Sequence, residues 1–201
     1  GQTNLRETLP LSFDQRHTFV TSFDYHYSSG KDYDGPVWFG KQVFSDAGLN
    51  LVLRAGSGTP YTRKGNITPE AYFTTAANGR STISGTLNGS RYPWQFKIDA
   101  KVDKSFQIKM GKKVDGEARR PIYANVYLQV LNLLDAMNVI GVYRATGSPD
   151  DDGYLASAGA QPNIASQVSP QSYIDLYTIA ENNPGNYSLP RRIRLGVQLN
   201  F

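Results

Sequence analysis

The chain has no cysteine, two histidines, two tryptophans and no apolar run of the roughly 18 residues that a membrane helix needs. Without cysteine there are no disulfides, no thiolate metal sites and no thiol nucleophile. His17 and His26 fall on opposite faces of one extended segment by parity, so they cannot jointly hold a metal. The missing apolar run excludes a transmembrane helix but not a membrane, because a barrel strand needs only about 10 alternating residues with a polar inward half. Concentrated charge is also lacking. Lys plus Arg number 21 against 17 Asp plus Glu, giving +4 and a pI near 9.2. The two signs are interleaved rather than gathered into a stripe, so nucleic acid is not an expected partner. "AGSGTP" lacks the Gly-Lys-Ser/Thr ending of a phosphate loop, and no acid-base pair or Ser/His/Asp arrangement is readable, so no enzyme activity is expected. The opening "GQTNLRETLP" has no initiator Met, basic region or apolar signal stretch, and reads as the tail of something longer.

What is present is strand material: 39% hydrophobic residues, with 13 Tyr, 9 Phe and 19 Gly in 201 residues. Five stretches alternate at period two. In "RHTFVTSFDYHY" the odd positions from His17 to Tyr27 make the apolar, aromatic face against Arg16, Ser22, Asp24 and His26. In "LNLVLRA", Leu49, Leu51, Leu53 and Ala55 oppose Asn50, Val52 and Arg54. In "WQFKIDAKVDKSFQI", Phe96, Ile98, Ala100, Val102, Phe106 and Ile108 share one face, broken only by Lys104, while Lys97, Asp99, Lys101 and Asp103 share the other. In "IYANVYLQV", Ile122, Ala124, Val126, Leu128 and Val130 oppose Tyr123, Asn125, Tyr127 and Gln129, with a possible continuation through "NVIGVY". In the terminal "RRIRLGVQLNF", Ile193, Leu195, Val197, Leu199 and Phe201 oppose Arg192, Arg194, Gly196, Gln198 and Asn200. Such faces suit either a soluble sandwich, with the apolar side as core, or an outer-membrane barrel, with that side in lipid.

The connections alternate in character. Residues 56–92 and 144–190 are long, polar and rich in Gly, Asn, Pro and Ser, whereas "KMGKKVDGEARRP" is a shorter turn. Long loops at one end and shorter ones at the other are the habit of outer-membrane barrels. The "DDDG" of Asp150, Asp151, Asp152 and Gly153 clusters carboxylates that could hold calcium, but without the spacing of a helix-loop-helix calcium site; a solvated turn is the plainer reading. Sequons at Asn66, Asn88 and Asn186 fall in loops, where chance occurrence suffices to explain them.

Taken in order, "DQRHT", "GLNLVLRAGSGTPYT", "YPWQFKIDAKVDKSF", "VYLQVLNLLDAMNVIGVYRATGSPDDDGYL" and "NYSLPRRIRLGVQLNF" resemble the C-terminal part of a TonB-dependent outer-membrane receptor, of the Bacteroidetes Oar-like or SusC-related type. The resemblance implies an all-β fold, an antiparallel transmembrane β-barrel of about 22 strands, to which residues 1–201 supply about the last five. On this reading the plug domain and signal peptide are expected to lie outside residues 1–201. The implied partners are the remainder of the same barrel and its plug, TonB through the missing N-terminal part, the barrel assembly machinery, a surface lipoprotein and the lipid bilayer; the implied location is the outer membrane of a Gram-negative bacterium. No cofactor is implied beyond calcium in the extracellular loops. Arg16, Asp24, Arg54, Lys97, Asp99, Lys101, Asp103, Asn125, Arg192 and Arg194 would line the lumen. Asp150, Asp151 and Asp152 would sit in a ligand or cation loop. The alternating terminal strand Ile193, Leu195, Val197, Leu199 and Phe201 would be the assembly signal. If the last strand ends in the periplasm, both long loops and residues 1–13 lie outside the cell. "SSGKDYDGPVWFGKQVFSDAG" would then be periplasmic, with Trp38, Phe39 and Phe44 marking an interface girdle. Two other readings stand beside this one: a barrel scaffold in an outer-membrane assembly or secretion complex, and a soluble secreted β-sandwich binding module.

Overall fold

The computed structural model describes residues 8–72, 82–108 and 122–200, so Phe201 and the turn at 109–121 lie outside the described residues. In chain order the elements are β1 (Thr18–His26), β2 (Val37–Trp38), β3 (Lys41–Gln42), β4 (Ala47–Gly56), β5 (Pro60–Tyr61), β6 (Ser90–Arg91), β7 (Gln95–Ile108), β8 (Ile122–Leu131), α1 (Gln161–Ala165), α2 (Pro170–Glu181) and β9 (Arg192–Asn200). They divide into two compact units, one made of Phe19–Ala55, Phe96–Ala136 and Pro190–Phe201, the other of Gly1–Thr18, Gly56–Gln95 and Met137–Leu189.

The first unit is built on the alternating stretches. β1, β4, β7, β8 and β9 form a five-stranded antiparallel sheet in the order β1-β4-β7-β8-β9, and β2 and β3 form a two-stranded ribbon. Register fixes the faces, since directly opposed residues point the same way. Val102 lies opposite Leu128 and Leu128 opposite Leu195; Ala100, Val130 and Ile193 make the next row, and Phe106, Ala124 and Leu199 another. The apolar residues thus form a continuous face, and that face is uncovered: Val102 is 50% exposed and Leu195 75%. Opposed on the other face are Lys101, Gln129 and Arg194, then Asp103, Tyr127 and Gly196, then Ser105, Asn125 and Gln198. At Gly196 a Cβ would come 2.3 Å from the ring of Tyr127, so a larger residue there would force that ring to move.

The expected continuation of β8 through "NVIGVY" does not form. β8 stops at Leu131 because Asn132 adopts the left-handed conformation (φ 57°), which asparagine tolerates better than branched residues. Its buried side chain accepts from the Ala136 amide at 2.9 Å and donates to the Ala136 carbonyl at 3.1 Å, closing a turn. Asp135 then accepts the Arg191 amide at 2.7 Å, which sets the start of β9. Beyond this, Val139 pairs with Tyr187 as an isolated bridge rather than as part of a strand.

In the second unit the described parts of the long polar connections are packed and carry two helices. Tyr154, Ala160, Ile164 and Tyr177 form a buried cluster packed by Ala71, Leu155, Tyr173 and Ile174. α2 starts where Ser169 precedes Pro170 at the first helical position, and it buries Tyr177 and Glu181 with Tyr173 on one stripe. The "SGTPYT" motif is a packing device. Gly58 lies so close to the Tyr92 carbonyl that a Cβ would sit 1.8 Å from its oxygen, while Ser57 accepts the His17 amide at 3.0 Å. The β5–β6 ribbon follows directly, and Arg63 donates to the carbonyls of Ala145 and Thr146 at 3.0 and 3.3 Å. Arg63, the residue after "SGTPYT", thereby ties that stretch to the start of "ATGSPDDDGYL".

Candidate functional site

Two arrangements carry chemistry, one in each unit. On the polar face of the sheet Asp99 is the hub. It pairs with Arg54 at 3.1 Å and Lys97 at 3.2 Å, and accepts the Asn132 amide at 2.9 Å. Asp103 pairs with Lys101 at 3.9 Å and accepts from Asn125 at 2.9 Å; Asn125 also donates to Ser105 at 3.0 Å. Lys101 stands 5.3 Å from the centre of the Tyr127 ring that covers Gly196. Asp24 accepts from Asn50 at 3.0 Å. Of the ten side chains expected to line a lumen, Asp24, Arg54, Lys97, Asp99, Lys101, Asp103 and Asn125 are strand residues in this hydrogen-bonded and ion-paired layer. Arg192 and Arg194 project from the same face of β9, and Arg16 precedes β1 and is exposed. Each surface pair is worth at most about 1 kcal/mol, so the layer's value lies in presenting alternating charge on one sheet face.

The second arrangement was only partly legible. Of Asp150, Asp151 and Asp152, the first two are solvated, but Asp152 is 1% exposed and so does not belong to a solvated turn. It accepts the Tyr177 hydroxyl at 2.5 Å, the Ala71 amide at 3.1 Å and the Tyr154 amide at 2.8 Å, tying three stretches of the unit together. Beside it, Glu181 is 6% exposed, and one of its oxygens accepts the Asp152 amide at 3.4 Å. Burial, then hydrogen bonding to Asp152 and its charge, push the Glu181 carboxyl up to about 7. Burial likewise raises the Tyr177 and Tyr143 hydroxyls above their ordinary value, with Asp152 adding to both; Tyr143 donates to the Glu181 carbonyl at 2.9 Å. Asp150 is separately bound by the Tyr187 hydroxyl at 2.5 Å.

Oxygens of Asp151, Asp152 and Glu181 lie within 4.8 Å of one another, close enough to surround a hard cation. The donor set fits a proton better. Both oxygens of Asp152 already accept N–H or O–H donors, and calcium asks for six to eight oxygens. Glu181 and Tyr177 were missed in the sequence; their signal was the Ser-Pro helix start followed by Tyr173, Tyr177 and Glu181 at intervals of four. Of the proposed assembly residues, Ile193, Leu195, Val197 and Leu199 are exposed on the edge strand β9. Comparison with protein-family models, curated proteins and solved structures returned no match to this chain.

Proposed function

We propose that this chain is part of an outer-membrane β-barrel, contributing five adjacent strands and the extracellular loops of a TonB-dependent receptor. The observation that carries the reading is the two-faced sheet. An uncovered apolar face of Val102, Leu128, Leu195 and their row neighbours backs onto a layer of alternating charge. A soluble sandwich needs a second sheet over the apolar face, and among the described residues the other sheets are two-stranded ribbons. Lipid satisfies such a face without a second sheet.

Three further features support the reading. β1 and β9 are the edges of the sheet, and open edges are not tolerated in hydrocarbon, so these strands would pair with the remainder of a closed barrel. The β2–β3 ribbon joins Trp38 to Lys41 through Phe39 and Gly40, both at positive φ, the two-residue hairpin turn of type I′. Phe39 at its tip is fully exposed, as suits an aromatic interface girdle. Finally, the folded loop unit offers a firm surface for a bulky ligand, imported with energy delivered through TonB by segments outside this chain. The barrel assembly machinery would read the terminal strand, and a surface lipoprotein would cap the loops.

A denaturing gel of the outer-membrane fraction, run with and without boiling and stained by an antibody to residues 191–201, tests the proposal. A band far above 22.2 kDa that shifts on boiling is the expected result. An unshifted band near that mass in the detergent-free fraction would refute it.

A further inference from the structure

Among the described residues, the apolar face of β7 carries a lysine two positions from a residue that lines a hollow. Lys104 is the single charged residue on that face of β7, two positions from Val102 and from Phe106. Its ammonium lies 5.4 Å from the centre of the Phe106 ring and donates to the Val43 carbonyl. The hollow, about 270 Å³, is lined by Tyr25, Tyr27, Phe44, Ala47, Leu49 and Val102, among others. Lys104 does not itself line the hollow, but it is tied to it twice: Val102, two positions away on the same strand face, is a lining residue, and the Val43 carbonyl that accepts from the ammonium belongs to the residue before the lining Phe44.

An isolated lysine on a lipid-facing surface is costly at mid-membrane but serves at the headgroup level, where its stem lies along apolar surface and its ammonium meets water and phosphate. The Val43 carbonyl takes one of three ammonium donors. The aromatic walls of the hollow provide apolar surface for a hydrocarbon chain on the same strand face, with the lining Val102 two positions from Lys104.

We infer that this hollow and Lys104 form a binding site for one anionic phospholipid of the bilayer, acyl chain against Tyr25, Tyr27 and Val102, headgroup phosphate on the Lys104 ammonium. The occupant follows from charge complementarity: Lys104 has no ion pair among the described residues, so a neutral hydrocarbon alone leaves its charge unmatched, and a soluble anion leaves the aromatic hollow exposed. The site rests on the membrane reading above, since only in a bilayer is the occupant at hand.

The test is native mass spectrometry of the protein purified from the membrane fraction, in mixed micelles containing equal phosphatidylglycerol and phosphatidylcholine. The wild type is expected to retain phosphatidylglycerol over phosphatidylcholine by about fivefold, the effect of one lysine beside an anionic headgroup. Lys104→Gln should abolish the preference, Lys104→Arg should restore it, and Val102→Trp, which fills the hollow, should lower retention of both lipids. Equal retention by wild type and Lys104→Gln, or retention unchanged in Val102→Trp, would overturn the site while leaving the barrel reading intact. Absence of the wild type from the membrane fraction would overturn both.

Discussion

Replacing Glu181 with Gln should remove a pH dependence that the buried carboxyl pair builds into the loop unit. Glu181 and Asp152 are 6% and 1% exposed, with no cation paired to either among the described residues. Burial and the neighbouring Asp152 raise the Glu181 carboxyl from the ordinary 4.5 to about 7. A raised carboxyl pKa means that the folded unit binds the proton more tightly than the unfolded chain. Its stabilisation is therefore complete below about pH 4.5 and is lost as pH rises to about 7. At about 1.4 kcal/mol per pH unit the loss comes to about 3 kcal/mol, on the order of a hundredfold in the opening equilibrium. Amide hydrogen exchange of the peptide containing Asp152 and Tyr154, corrected for intrinsic rate, should show protection falling by that factor between pH 4.5 and 7.5. Glu181→Gln keeps a neutral side chain of the same shape, so its protection should change little across the same range. A wild-type profile that is flat, or a variant profile that falls as steeply, would refute the reasoning. Adding EDTA should leave the wild-type profile where it was, because the oxygens of Asp152 are already hydrogen-bonded; a marked loss of protection would instead indicate a bound cation.

The remaining predictions concern the sheet. Asn132→Ala removes two side-chain hydrogen bonds to Ala136 at a left-handed position, and should cost about 2 kcal/mol, read as a lower urea midpoint; a change under about 0.5 kcal/mol would show that the turn does not depend on them. Gly196→Val drives a side chain into the Tyr127 ring and should destabilise by about 1–3 kcal/mol on thermal denaturation, whereas Gly196→Val paired with Tyr127→Ala should recover part of the loss. Phe201→Asp should lower the abundance of folded protein in the outer membrane on quantitative blotting, and normal abundance would remove the terminal residue from the assembly signal.

Period-two alternation by itself determined the five strands and their faces, because the side chain of each strand residue must point one way or the other and a one-residue slip would invert both faces at once. It also identified Lys104 as an interruption and the polar set from Lys97 to Asp103 as one layer. Where β8 ends was not legible from apolar pattern: "NVIGVY" alternates well enough, but the backbone turn at Asn132 and its bonds to Ala136 end the strand first. The loop unit was least legible, since Gly, Asn, Pro and Ser describe an irregular chain without saying whether it is packed. Only the tertiary structure brought Ala71, Asp152, Tyr177 and Glu181 together, from segments up to 110 positions apart. No local periodicity encodes such contacts. They form because a buried carboxylate must find donors wherever the fold supplies them, and a second carboxylate beside it holds its proton more tightly than it would in water.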